Sequence, residues 1–581
     1  MSDFLYSNNI INSVSIFTNY FKEINNKALH CFEGTWGKLV INKNHYNGFE
    51  PYEDENHLCA VIGGPVLNFS NNNFIANISE PSLGTQQILH RYRVGIDWSK
   101  DLDGPFVVIV INKITNDVKI ITDVLSFIPC YQHQSKEEIV ISSHVDLLAE
   151  AANIKKIDDI STADFILSGA ITFPFTIYEN IFQMDPGSEH IITKNKVKNK
   201  FYWLPEEKEM YKSVKAAATD GRNAIQNYVN NITNSLEEVA HFISGGEDSR
   251  TISSLLNKDL KRDAFIFLEG MNREGKLAKR VAEVYGSNFH LIKRDKYHYL
   301  NILSEANKLV GSGSQYIHCH ALNLHEKGNL TSYSAVFGGL FSDALLKGSH
   351  IKKISFSGRI PFLPQIPLKN HKETVEHANL NIDWGILKER KKAHLTRIKK
   401  IRPVSYREWY ELWPTSMNVN SPNFHCTRRL FRSYEPFTST ALVKVAAKTP
   451  QNFKLNRILF REIAKPFLKK SWYLTHSDGR MPYFGWILNS MLIFTKSVRN
   501  KLKAKFGYNV ADEGPWVDWE TVMLSKEYER LIKKSNNSSL LRSEILNINE
   551  LKTVQKNFDS LQQLNYLQME DSISKLSRTN M

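Results

Sequence analysis

The stretch Val239-Ala-His-Phe-Ile-Ser-Gly-Gly-Glu-Asp-Ser-Arg250 decides how this chain is read. An apolar run stops at Ser244-Gly245-Gly246-x-Asp248-Ser249 and passes into Thr251-Ile-Ser-Ser-Leu-Leu256, which has helical character. The pattern predicts a buried β-strand, a sharp turn and a helix. Two glycines after a strand let the backbone turn and aim its N–H groups at an anion, and the helix adds its positive N-terminal end. Ser244 and Ser249 can donate hydroxyls to phosphate oxygens. Asp248 is an anion among groups that attract anions, which makes sense if it holds Mg2+ against the phosphates. The loop has the chemistry of a pyrophosphate site.

Ser-Gly-Gly-x-Asp-Ser after a hydrophobic strand resembles the PP-loop of the N-type ATP pyrophosphatases, which cleave ATP to AMP and pyrophosphate. No Gly-Lys-Ser/Thr follows, so the P-loop of GTPases and kinases is disfavoured. Working outward, predicted strands at 264–268 and 289–292 flank a helical stretch at 274–285 that Gly286 ends. A later strand, 334–337, runs into Gly338-Gly339. Strand–helix alternation implies a parallel sheet with ligands at the strand C-termini. A helix is expected within 206–234, the chain beyond 350 reads as mainly helical, and the tail from Ser535 reads as polar, helical and peripheral.

The N-terminal part reads as short Val/Ile-rich strands at 59–67, 106–111, 118–122 and 138–142. Leu102-Asp-Gly-Pro-Phe-Val-Val108 and Ile121-Thr-Asp-Val-Leu-Ser-Phe-Ile-Pro-Cys-Tyr131 resemble the asparagine synthetase pattern L-D-G-x-F-A … R-D-x-x-G-x-x-P-L-Y. Ser142-Ser-His-Val-Asp-Leu-Leu148, Pro174-Phe-Thr-Ile-Tyr-Glu-Asn-Ile181, Asp185-Pro-Gly187 and Phe201-Tyr-Trp203 follow in that family's order, and then comes the pyrophosphate loop. The resemblance covers residues 55–470 or so. It implies a two-domain α/β and α+β chain: an Ntn-hydrolase (glutaminase-like) β-rich sandwich over 1–205, a PP-loop ATP-binding domain with a parallel sheet and helical C-terminal part over 206–534, and the tail 535–581. Two departures point to a degenerate glutaminase kept as scaffold. Ser2 stands where the family has its nucleophilic Cys. The glutamine-binding motif N-G-E-I-Y-N falls on Gly63-Gly-Pro-Val-Leu-Asn68, without the first Asn and the Glu.

Val336-Phe-Gly-Gly-Leu-Phe-Ser-Asp-Ala-Leu-Leu-Lys-Gly348 resembles the family's V-L-S-G-E-G-S-D-E-L-F-G-G. Asp343 falls on its Asp, so Asp248 and Asp343, at the ends of two parallel strands, are expected to share Mg2+. Gly338 and Gly339 would let backbone approach an acyl-adenylate. Leu340 and Ala344 replace the two Glu, and the first is tied to substrate selection, so aspartate is not implied as substrate. Residues 434–461 resemble R-V-P-F-L-D … K-x-x-L-R, whose phosphate-contacting Lys falls on Arg457, with Lys454 the neighbouring alternative. A guanidinium can hold phosphate charge but cannot carry a proton at neutral pH. Residues 264–268 are expected beside adenine, and Glu274 lies near an acidic position of the family. The resemblance thus implies ATP and Mg2+ and an amide-forming ligase. A carboxylate is adenylated with loss of pyrophosphate, then attacked by ammonia or a substrate amine, as in the β-lactam synthetases and lasso-peptide cyclases. The partner is a small molecule or peptide.

Composition sets the bounds. The 581 residues, 42% hydrophobic and 23% charged, suit two or more soluble domains. No run spans a bilayer, since 486–494 is too short, and no secretory signal opens the chain. The five cysteines (31, 59, 130, 319, 426) are scattered, and a cytosolic protein is expected. Of the formal charge of +14, the densest run lies at 388–402. It reads either as a surface for nucleic acid or an acidic substrate, or as a solvated helix face with Leu387, Leu395 and Ile398 or Ile401 inward. No nucleic-acid module accompanies it. Two further readings stay open: a non-catalytic scaffold, motivated by Leu340, Ala344 and Arg457, and a tRNA-modifying PP-loop protein, prompted by the charge and opposed by the lack of catalytic Cys pairs.

Overall fold

The computed structural model describes residues 3–9, 13–21, 28–193, 196–358, 360–368, 376–377, 380–506, 517–534, 545 and 557–578. Ser2, expected at the nucleophile position, lies outside the described residues, as does nearly all of 535–556.

The N-terminal strands form two six-stranded sheets, every described pairing antiparallel. One runs Ile181–Gln183, Tyr131–Gln134, Ile139–Ser142, Phe4–Ser7, Gly37–Asn42, Leu29–Gly34. The other runs Lys196–Phe201, Ser188–Thr193, Asp117–Thr122, Phe106–Asn112, His57–Gly63, Tyr52–Glu53. The period-two rule sorts their faces. Phe4, Tyr6, Leu39, Ile41, Ile139 and Ile141 join one core with Leu58, Ala60, Val107 and Ile109 of the second sheet, so the sheets form a sandwich. Leu5, Val40 and Val140 point the other way, into a second core with Leu147 and Leu148. The expected strands are all present, with 59–67 broken at Gly64-Pro65. Phe4–Ser7, central in its sheet, is an addition to them.

The second half holds a five-stranded parallel sheet in the order Asn288–Lys293, Lys261–Leu268, Glu238–Phe242, Val336–Phe337, Ser433–Tyr434. Register pairs Ala240 with Val336 and Phe337 with Tyr434, so three strands end side by side at the glycine turns. Helices surround the sheet. Val214–Thr233, capped by Ser213, buries Ala217, Ala224, Ile225, Tyr228 and Ile232 along one face at helical spacing.

The two halves share their core. Tyr228, Phe341 and Phe437 belong to the same buried cluster as the sandwich interior. The basic run, on helix Trp384–Ile401, ties the halves together. Leu387, His394 and Ile398 are buried, while Arg390 pairs with Asp158 at 2.8 Å, Lys391 with Asp164 at 2.8 Å and Arg397 with Asp185 at 2.6 Å. Three of its cations are thus paired with carboxylates of the N-terminal half.

One expectation needs correction: the tail is not peripheral where it is described. Helix Ser560–Arg578 buries Leu564, Tyr566, Leu567, Gln568 and Met569 against helices Asp159–Ser168 and Leu303–Val310. Asn565 Nδ2 donates to the carbonyls of Phe165 and Ile166 at 3.2 Å, and Gln568 Nε2 to Ser314 O at 2.6 Å. Its polar residues are interior hydrogen-bonding groups, so polarity alone misled the assignment. Among the described residues no helix is long and apolar enough to cross a membrane, and all five cysteines are free thiols.

Candidate functional site

The loop after Glu238–Phe242 leads directly into helix Glu247–Leu255, whose N-cap is Gly246. Gly245 is required by packing, since a Cβ there would overlap Leu277. Ser249 Oγ accepts from Ser244 N at 3.1 Å, Ser244 Oγ from Gly246 N at 3.0 Å, and Glu274 Oε1 from Gly245 N at 2.6 Å. The loop therefore already holds an oxyanion, the Glu274 carboxylate, on one glycine N–H. Beneath it the fully buried Arg250 donates to the carbonyls of Gly245, Leu474 and Thr475 at 2.8–2.9 Å, clamping loop and helix to the chain 224 residues on, at Leu474. Arg250 was not singled out from the sequence; its place next to the motif was the available signal.

Asp248 leaves the helix toward the second glycine turn. Ser342 Oγ donates to its Oδ1 at 2.7 Å. Lys347 Nζ lies 2.6 Å from Oδ1 and donates to Oδ2 at 2.7 Å. The same ammonium reaches Asp343 at 3.1 Å and the buried Glu247 at 3.4 Å. Arg457 completes the cluster, 2.8 Å from Glu247 and 3.2 Å from Asp343. Asn456 and Arg457 both adopt left-handed φ (54° and 60°), and this kink before helix Ile458–Leu468 turns the guanidinium inward. Gln365 holds the kink through reciprocal 2.8 Å bonds with Asn456.

The electrostatics follow from this packing. Burial pushes Asp248 up, with Asp343 and Glu247 adding and Lys347 opposing. Burial also pushes Glu247 up, but Arg457 and Lys347 outweigh it and hold the carboxyl below its usual range. For Lys347 burial favours the neutral amine, and Asp248 and Glu247 reverse that, so it stays an ammonium.

The structure thus brings together Ser244, Gly245, Gly246, Asp248, Ser249, Gly339, Asp343 and Arg457. Two expectations change. Lys454 is no part of the cluster: its Nζ is fully buried, 2.7 Å from the equally buried Glu408 and 5.7 Å over the Trp409 ring, so it is a structural ion pair. The shared Mg2+ site on Asp248 and Asp343 does not fit either, because the Lys347 ammonium sits between them, against both oxygens of Asp248 and Oδ1 of Asp343. Among the described residues no group of three or more His, Cys, Asp or Glu side chains could hold a metal ion. Gly338 and Gly339 are also closely packed. A Cβ on Gly338 would overlap the Glu435 carboxylate, and one on Gly339 would lie 3.1 Å from Asp248 Cβ. Glu435, unforeseen, is buried, accepts from Leu340 N at 2.8 Å and is pushed up by burial to about 8.

Beside the loop lies a cavity of about 510 Å3 lined by Arg273, Lys276 and Arg280 of one helix, Lys496 and Arg499 of another, and His476. Among the described residues no carboxylate lines it. Leu277, which packs under Gly245, is also in its wall.

In the N-terminal half, Asp3 N donates to Asn42 Oδ1 at 2.7 Å. The Asp3 carboxylate, fully buried, meets Arg429 at 2.8 Å and Arg428 at 3.1 Å from the other half. In the segment Gly63–Asn68, where the glutamine-binding pattern falls, a Cβ on Gly64 would overlap the Tyr46 ring.

Comparison with known proteins finds two family models in this order: a glutamine amidotransferase domain over residues 52–203 and asparagine synthase over 220–476. A Methanocaldococcus jannaschii protein named as a candidate glutamine-hydrolyzing asparagine synthetase is 26% identical over 249 residues, 41% of this chain and 48% of its own length. The chain therefore spans about half of that curated relative. Among solved structures, the allosteric regulatory enzyme of purine biosynthesis matches at 10% identity over 44% of this chain and 51% of its own, with a TM-score of 0.20. The NH3-dependent NAD synthetase of Campylobacter jejuni matches at 19% over 24% and 62%, with a TM-score of 0.17.

Proposed function

Because this chain belongs to the asparagine synthetase family, we propose that it is an ATP-dependent amide ligase. It adenylates a substrate carboxylate, releasing pyrophosphate, and an ammonia or amine nitrogen then displaces AMP. The observation that supports this best is the convergence of Ser244–Ser249, Asp248, Asp343 and Arg457 at the C-terminal edge of one parallel sheet, where such folds bind ligands. The serine hydroxyls and helix N-terminus would hold the phosphates, with Glu274 giving up the Gly245 N–H as they arrive. Arg457 would spread charge from the departing pyrophosphate. Its pKa forbids proton transfer, so the amine must lose its proton to another base.

The N-terminal half acts as scaffold in this reading, supported by the packing of Tyr46 on Gly64. Ammonia would then come from solution, or the amine from a substrate. Glutamate release from glutamine would overturn that part alone. One observation favours a non-catalytic protein instead: Glu274 already fills the Gly245 N–H. The deciding experiment measures AMP and pyrophosphate formed from ATP with panels of carboxylates and amines. Carboxylate-dependent AMP, lost in Asp248→Ala, is expected. ADP as product, or AMP unchanged in Asp248→Ala, would sink the ligase. Absence of both turnover and ATP-induced thermal stabilisation would leave the scaffold.

A further inference from the structure

We infer that the Lys347 ammonium is a built-in replacement for a protein-bound divalent cation, so that this chain carries in its own side chain the positive charge that Asp248 and Asp343 would otherwise take from a metal. Two carboxylates at the ends of adjacent strands beside a phosphate loop form a natural oxygen pair for Mg2+. Here Lys347 Nζ lies 2.6–2.7 Å from both Asp248 oxygens and 3.1 Å from Asp343 Oδ1, in the space a metal bridging the two carboxylates would take. Ser342 takes a further lone pair of Asp248.

The surroundings suit an ammonium and not a metal. The Phe460 ring lies 4.3 Å from Nζ, a π-face that attracts an organic cation and offers no oxygen to an octahedral ion. The charges nearly cancel locally. Glu247, Asp248 and Asp343 face Lys347 and Arg457, with Arg480 4.0 Å from Glu247. A divalent ion in addition would make Lys347 and the metal repel within one buried space. The pattern quoted above for relatives has glycine where this chain has Lys347, so removing the side chain uncovers the oxygen pair.

The inference leans on the nucleotide reading of the loop only for its purpose; the metal measurement is made without nucleotide and stands if the ligase reading fails. Mn2+ is titrated into the full-length, nucleotide-free protein, and bound ion is read from the loss of the free-Mn2+ paramagnetic signal. The wild type is expected to take up none at Asp248. Lys347→Gly is expected to gain one site at least about ten-fold tighter than anything in the wild type, and to lose it again when Asp248→Asn is added. Lys347→Gln, which keeps the volume filled, serves as second variant if the glycine form does not fold, and should gain the site more weakly. Wild-type uptake of one Mn2+ that Asp248→Asn abolishes overturns the inference, as does a folded Lys347→Gly that binds none.

Discussion

At the scale of single residues, the site runs on carboxylates with unlike surroundings. Glu247 is held below its usual range by Arg457 and Lys347 against burial, whereas Glu435 accepts from Leu340 N and Ser433 Oγ and burial lifts it to about 8. A raised folded-state pKa means that the folded protein binds the proton more tightly than the unfolded chain. Its stabilising contribution is full below the unfolded value near 4.5 and is lost as pH rises through about 8. Glu435→Gln should therefore flatten the fall in thermal midpoint between pH 5 and about 8.5, with the largest gain at the alkaline end, as melting curves across that range would record. A variant that melts in parallel with the wild type at every pH would contradict the assignment. The Ser-Gly-Gly-x-Asp-Ser motif was legible because its chemistry is contiguous. Lys347 and Glu435 were not, because their meaning lies in neighbours 99 and 95 residues away.

Among elements, the glycine turn after Val336–Phe337 is shaped by the strand beside it. Ser433–Tyr434 delivers Glu435 into the volume that a Cβ on Gly338 would fill. Gly338→Ala should cost about 1–3 kcal/mol by overpacking. Adding Glu435→Ala should recover much of that loss, a coupling that a double-mutant cycle in denaturant measures. Independent, additive losses would show that the glycine is needed for backbone reasons instead. Strand and helix positions around the loop followed from periodicity, as in Arg273–Tyr285, ended by Gly286 at φ 72°. The tail did not, since Asn565 and Gln568 read as surface residues until Phe165, Ile166 and Ser314 were found to receive their amides.

Across the whole molecule, the halves are locked by buried charge. Burial alone would raise Asp3, but Arg429 and then Arg428 drive it far below the usual carboxylate range. A depressed pKa contributes stability above the unfolded value near 3.9, lost as pH falls through the folded one. Asp3→Asn should cost about 3–5 kcal/mol at neutral pH, because it strands two buried guanidinium groups, and the deficit should shrink in acid below pH 4. Urea titrations at pH 7 and about pH 3 test both halves of that statement. The cavity of Arg280 and Arg499 beside the loop makes a field that attracts anions. Arg280→Glu combined with Arg499→Glu should lower kcat/KM for ATP about ten-fold at low salt, and the difference should fade above roughly 0.5 M NaCl. A defect indifferent to salt would mean damage to the loop. By itself the sequence determined the two-part architecture, the parallel sheet and the strand–glycine turn–helix at 238–255, since periodicity, turn glycines and a contiguous motif are local properties. Tertiary structure alone decided that Lys454 is a structural pair with Glu408, that Arg390, Lys391 and Arg397 of the basic run pair with Asp158, Asp164 and Asp185, and that Lys347 sits where a metal was expected. Each of those outcomes depends on which charges distant segments bring within a few ångströms, and Coulomb energy in a buried site is set by that distance and not by sequence spacing.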